Sequence, residues 1–271
     1  MATTRTKADT SASKTPKLLN ADDAAKAQEP YIHIYHGGAV CRTDKRGYET
    51  PDNRATTELV LDATEGFIPL WAKETLLRWR FNETSMTAFA DPPAAKDYFR
   101  DRIKAALGLW GDAVPVRFKE VADAWDFEVI FEADPKCNPN GCVLASAFFP
   151  DSGQHDLTIY ATLLDQPEKE VVETLAHELG HVFGLRHFFA KLSEGAFPSV
   201  IFGKHRKQSI MNYGVHSKMT ATDRADLKAL YAMAWSGQMT EINGTPVKLV
   251  RPFSHLRAQQ PTPVALAASI A

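Results

Sequence analysis

His177-Glu178-Leu179-Gly180-His181-Val182-Phe183-Gly184-Leu185-Arg186-His187 is the stretch that decides how this chain is read. On a helix, residues four apart lie one above the other on the same face. His177 and His181 therefore aim two imidazoles at one point. Glu178 sits about 100° further round the axis, which places its carboxylate beside that point rather than on it. A straight helix would carry His187 away. Gly184 can take a positive φ, end the helix and fold the chain back, so that His187 supplies a third nitrogen. Three imidazoles about 2.0–2.1 Å from one ion, with a fourth position open, are the catalytic arrangement for zinc rather than the closed structural one. Zinc in such a site acidifies a water and polarises a carbonyl. Glu178 would be the base that takes the water's proton and returns it to a leaving amine.

A histidine pair four apart is common on helices and usually means nothing. What separates this run from chance is the glycine and third histidine at fixed offsets, inside a stretch predicted independently to be helical. That helix should start near Pro167, with Pro in its first turn and Glu168 and Glu170 favouring the positive end of the dipole. It runs through Val171, Leu175 and Leu179 to about Phe183.

Outward from this helix, the chain reads as strands surrounding a few helices, an α+β domain. Leu76 to Phe81 alternates as a first strand. Pro92-Pro93 opens a helix whose Tyr98, Ile103, Ala106, Leu107 and Trp110 share one face, ending near Gly108 or Gly111. Val116–Val121, Phe127–Phe131, Cys142–Phe149 and Leu157–Ala161 read as further strands. Thr222-Asp223 can cap a final helix bearing Ala225, Leu227, Leu230 and Tyr231. Residues 1–30 read as a disordered tail, 31–70 as an extension and possible pro-segment, 71–235 as the catalytic domain and 236–271 as an irregular tail.

The 271 residues are 44% hydrophobic and 24% charged, with a formal net charge of -2. That balance argues against nucleic acid or an anionic membrane as the main partner. No apolar stretch is long enough to cross a bilayer. Met1 to Lys17 lacks the apolar core of a secretory signal peptide, so the compartment stays open. Three cysteines are too few for a disulfide framework. Cys137 and Cys142 bracket a turn-rich Asn-Pro-Asn-Gly stretch and read equally as a bridge or as two thiols. The five tryptophans read as packing residues, and His33, His36, His205, His216 and His255 show no metal-ligand spacing.

The run from His177 to His187 resembles the metzincin zinc-binding motif at every fixed position. Ser209-Ile210-Met211-Asn212-Tyr213 is similar to the methionine turn of that group, which implies Met211 as an apolar floor beneath the three histidines. Residues 71–235 resemble the matrixin catalytic domain in particular, most strongly over 173–214. The resemblance implies a zincin fold: a twisted, mostly parallel sheet with an antiparallel edge strand, an active-site helix and a C-terminal helix. It also implies a zinc-dependent endopeptidase, monomeric and extracellular, taking an extended peptide antiparallel to the strand near Val143 to Phe148. The P1′ side chain would enter a pocket walled by the stretch after Met211.

This chain departs from the matrixin pattern in several places. Ser146 stands where matrixins place a histidine ligand of a structural zinc, and His155 has no evident partner set, so one catalytic zinc is expected and no structural one. No carboxylate loop for calcium is evident. The segment between His187 and Met211 is long and carries Phe188, Phe189, Phe197 and Phe202. Tyr213 is similar to the turn tyrosine of astacins and serralysins, which ligates zinc or bonds the tetrahedral oxyanion. Cys41 reads either as a pro-segment thiolate latch or as a plain buried thiol, and its flanks do not reproduce the family's switch motif. Two other readings of the domain are a catalytically silent zinc-binding module and a zinc hydrolase acting on a non-peptide bond.

Overall fold

The computed structural model describes residues 60–62, 66–138, 141–186, 199–201, 209–211, 218–242 and 244–258. His187, Tyr213, Cys41, the tail 1–30 and the loop phenylalanines lie outside these residues. In chain order the strands are β1 (Val60–Asp62), β2 (Ile68–Trp71), β3 (Leu76–Phe81), β4 (Arg117–Glu120), β5 (Phe127–Glu132), β6 (Cys137–Asn138) and β7 (Gly141–Cys142). They continue with β8 (Ala145–Ser146), β9 (His155–Tyr160), β10 (Leu185–Arg186), β11 (Ser199–Ile201), β12 (Glu241–Ile242) and β13 (Thr245–Val250). The α-helices are α1 (Glu83–Met86), α2 (Pro92–Trp110), α3 (Glu168–Val182), α4 (Ala221–Trp235) and α5 (Phe253–Ala258).

The principal sheet has the order β4-β3-β5-β9-β8. β4, β3, β5 and β9 run parallel, and β8 alone is antiparallel at the edge beside β9. This is the α+β fold with a mostly parallel sheet and an antiparallel edge strand that the resemblance implied. β3 buries Leu77, Trp79 and Phe81 and leaves the alternate residues half-exposed, the period-two pattern of a strand with one covered face. α2 begins after Asp91, whose side chain accepts the Ala94 amide, with Pro92 and Pro93 in the first turn. It ends at Gly111, at φ 59, while Gly108 stays inside the helix. Its buried face of Ala95, Phe99, Ala106 and Trp110 joins Val171, Leu175 and Leu179 of α3 in one core.

Three expectations need correction. The strand foreseen over Cys142–Phe149 is divided: Cys142 pairs with Cys137 in the β6–β7 hairpin, and Ala145–Ser146 pair with Ile159 and Thr158. The division arises because the Val143 amide bonds back to the Lys136 carbonyl rather than continuing the ladder. α4 is capped one turn's edge earlier than foreseen: Thr220 is the N-cap, and Asp223 is the third residue of a capping box. Residues 236–258 are ordered rather than an irregular tail. β13 pairs parallel with β2, Val247 opposite Ile68 through Val250 opposite Trp71. The Ser254 amide and hydroxyl then bond the buried Asp126 carboxylate, whose Oδ2 also accepts the Arg78 amide. Gly244, at φ 80, follows β12, and the Asn-Gly dipeptide in the sequence is a hairpin-turn signal for this element.

Cys137 and Cys142 form a disulfide. This closes the hairpin immediately before the edge strand and settles the choice between bridge and free thiols.

Candidate metal centre

α3 carries the site and is held at both ends. Pro167 precedes it, and Glu168 and Glu170 occupy its first turn, where the unpaired amides favour negative charge. At the other end Gly184 sits at φ 89, and its amide closes on the His181 carbonyl at 2.8 Å. A side chain at Gly184 would meet the Pro69 carbonyl at 3.2 Å as well as adopting a conformation that L-residues rarely take. The carbonyls left over at the helix end find donors from distant parts of the chain. Trp71 Nε1 donates to the Val182 carbonyl at 2.7 Å, and the Tyr231 hydroxyl donates to the Phe183 carbonyl at 3.1 Å. Burial pushes the Tyr231 pKa up, so that hydroxyl remains a donor. Trp110 Nε1 likewise reaches the Ala176 carbonyl at 2.8 Å. Trp71 and Trp110 thus pack and also fasten the helix.

The sharp turn at Gly184 does more than end the helix. It brings the Leu185 carbonyl to 2.7 Å from His181 Nδ1. His177 Nδ1 meets the Ile210 carbonyl at 2.8 Å. A carbonyl only accepts, so each Nδ1 carries the proton, and in the neutral imidazole each Nε2 is left with its lone pair outward. Those two Nε2 atoms face each other at 3.2 Å. Two lone pairs directed at one another repel unless a cation lies between them. Two nitrogens on a tetrahedral ion with bonds of 2.0–2.1 Å stand about 3.3–3.4 Å apart, so this pair fits zinc with almost no adjustment.

Glu178 joins this pair. One ligand atom from each of His177, Glu178 and His181 lies within 4.8 Å of the others, and all three residues are buried. Among the described residues this is the only cluster of metal-ligating side chains so arranged. Phe149 stands edge-on to the His181 ring, centroids 5.5 Å apart, and the Arg186 guanidinium lies 5.6 Å from the Phe149 ring. Arg186 is 1% exposed, a buried cation with no signal in the sequence to single it out.

The turn at Ser209–Met211 is fixed by Asp223. Its carboxylate accepts the Ser209 hydroxyl at 2.6 Å and the Ile210 amide at 3.4 Å, while also taking the Thr220 amide at 2.8 Å. One buried carboxylate therefore caps α4 and sets the carbonyl that orients His177. Met211 is buried against Gly180. A β-carbon on Gly180 would fall well inside the contact distance of the Met211 sulfur and 3.3 Å from Trp110 Cζ2. Gly180 is thus required by packing between the two histidines, a role that the sequence motif alone did not explain. His155 stacks on Phe148 at 4.6 Å and 7°. The Asp151 carboxylate lies 4.0 Å from its Nε2.

A sequence model of the matrixin family, a family of zinc metallopeptidases, matches residues 70–232. That is more than half of the chain, which therefore belongs to the matrixins. Human stromelysin-3 is 31% identical over 123 residues, covering 41% of this chain and 25% of that protein. Metalloendoproteinase 4-MMP of Arabidopsis thaliana is 29% identical over 140 residues, covering 45% of this chain and 40% of its own length. Human matrix metalloproteinase-17 is 33% identical over 138 residues, 44% of this chain and 21% of that protein. The chain thus spans well under half the length of each of these relatives. No helix among the described residues is long and apolar enough to cross a membrane.

Proposed function

We propose that this chain is a zinc-dependent endopeptidase, with His177, His181 and His187 holding the metal and Glu178 as the catalytic base. The observation that carries this reading is the facing pair of Nε2 atoms at 3.2 Å, each with its Nδ1 proton committed to a carbonyl. When bound, zinc supplies Lewis acidity: it lowers the pKa of a water and polarises a carbonyl. Glu178 takes the proton of the attacking water and carries it to the leaving amine, so one carboxylate serves as base and then as acid. The carbonyls of Ile210 and Leu185 hold both rings in one tautomer throughout. Met211 forms an apolar floor against the helix at Gly180. Tyr213, just beyond the described residues of the turn, is assigned to bond the oxyanion.

The substrate is an extended peptide. Among the described residues β8 lies at the sheet edge, paired in that sheet with β9 alone, and its outer main chain can take an added strand antiparallel to itself. The family relationship favours a monomer acting outside the cell, and a disulfide at Cys137–Cys142 agrees with an oxidising compartment. A catalytically silent zinc module would not need Glu178, because zinc binding alone makes no use of that carboxylate. Digestion of casein or gelatin by wild type and Glu178→Ala, with and without chelator, tests the proposal. Wild type should cleave, the chelator should stop it, and Glu178→Ala should keep zinc while losing several orders of magnitude in rate, about the size of general-base effects. Equal rates for the two proteins would overturn it.

A further inference from the structure

The chain that leads into His187 is not held by α3 alone. β10, the two residues before His187, pairs antiparallel with β1: Val60 lies opposite Arg186 and Leu61 opposite Leu185. On its other edge β1 pairs with β11, with Val60 opposite Ile201, Leu61 opposite Val200 and Asp62 opposite Ser199. β1 is therefore the middle strand of a three-stranded sheet. Its two neighbours flank the segment that begins at His187. Leu185 and Arg186 are buried, and buried main-chain groups must find partners. A two-residue strand cannot supply its own, and a lone pair of short strands is marginal in water. Leu185 is also the residue whose carbonyl takes the His181 Nδ1 proton.

We propose that β1 is a positioning strand of the metal centre. Its main chain fixes Leu185 and Arg186, and through the Leu185 carbonyl the aim of His181. The inference rests on the zinc reading above. It also redraws the boundary of the working enzyme. The family match begins at residue 70, yet a cut between β1 and β2 would leave that matched region whole while removing the strand that supports the site. Any processing that yields an active enzyme must therefore fall before Val60.

Native-state hydrogen exchange on the full-length chain, without and with zinc, tests this directly. Peptides covering 58–62 and 183–187 should open together, and zinc should slow exchange in both. If 58–62 exchanges freely while 183–187 stays protected, β1 does not hold β10 and the proposal is overturned. In the full chain, Leu61→Pro removes an amide from the centre of β1. It should weaken zinc binding about 10–100-fold, the usual cost of losing a group that orients a ligand, with exchange in β5 and β9 unchanged. Leu61→Val, which keeps the main chain, should bind zinc as wild type does. Zinc affinity unchanged in a Leu61→Pro protein whose 58–62 peptide has lost protection would overturn the proposal. Wild type that takes up no zinc in equilibrium dialysis would instead defeat the metal reading, while the exchange data would still report on the pairing, so the two failures are distinguishable. Should Leu61→Pro fail to fold, the wild-type exchange experiment still decides.

Discussion

Replacing Gly180 by alanine sets two effects of opposite sign against each other. In a helix interior the change ordinarily stabilises by about 1 kcal/mol, because alanine loses less backbone freedom on folding. Here the added methyl would collide with the Met211 sulfur and press on Trp110, and overpacking of that kind costs about 1–3 kcal/mol. The net expectation is a loss of up to about 2 kcal/mol. Met211 is 2% exposed, so Met211→Ala alone should cost about 2–5 kcal/mol, but it also clears the space that the new methyl needs. On that background Gly180→Ala should approach neutral or become stabilising. A double-mutant cycle should therefore give a coupling energy of about 2 kcal/mol, within the range for residues in contact. Urea unfolding of the metal-free proteins, followed by tryptophan fluorescence, measures all four corners and keeps zinc affinity out of the comparison. A stabilised Gly180→Ala single mutant, or effects that simply add, would refute the claim that the methionine turn seats directly on the helix between the histidines.

Asp223→Ala removes the capping box of α4 and the anchor of the turn together, so it should cost about 1–3 kcal/mol. Because that turn orients His177, zinc affinity should also drop about tenfold in a chelator competition. Replacing Cys137 and Cys142 by serine opens a short closed loop and should cost about 2 kcal/mol by the loop-entropy relation, read by calorimetry. Glu173 is half-buried, and desolvation holds its pKa above the ordinary value against only partial relief from Lys169. A raised carboxylate pKa means that the folded state binds the proton more tightly, so this group favours folding at low pH and loses that contribution as pH rises through its folded pKa. Glu173→Gln should therefore melt higher than wild type at pH 7, with the gap closing as pH falls into the carboxylate range; a gap independent of pH would contradict the cause given.

The parts of this molecule legible in the sequence were those with a strong local period or a fixed spacing. β3, α2 and α3 follow directly from alternation, from apolar residues three and four apart, and from proline and glycine at the ends. The positive φ of Gly184 follows from the need to bring His187 back. What escaped notice depends on contacts between distant residues. Gly180 reads as filler until Met211 is placed against it. Asp223 reads as a helix cap until Ser209 and Ile210 are found on the same carboxylate. The C-terminal β12–β13 hairpin reads as an irregular tail because its apolar residues are few. The Asn-Gly dipeptide is the available signal, and its parallel partner, β2, lies far away in the sequence. The division of the edge strand was hidden for a similar reason, since the hairpin closed by Cys137–Cys142 takes main-chain groups that the sequence pattern had assigned to one continuous strand.

X-ray absorption on the zinc-loaded full-length protein tests the centre of the account most directly. One zinc per chain, with three histidine nitrogens about 2.0–2.1 Å away and one light-atom ligand from solvent, is the predicted result. Zinc bound by two histidines only, by four protein ligands, or not at stoichiometry would contradict it.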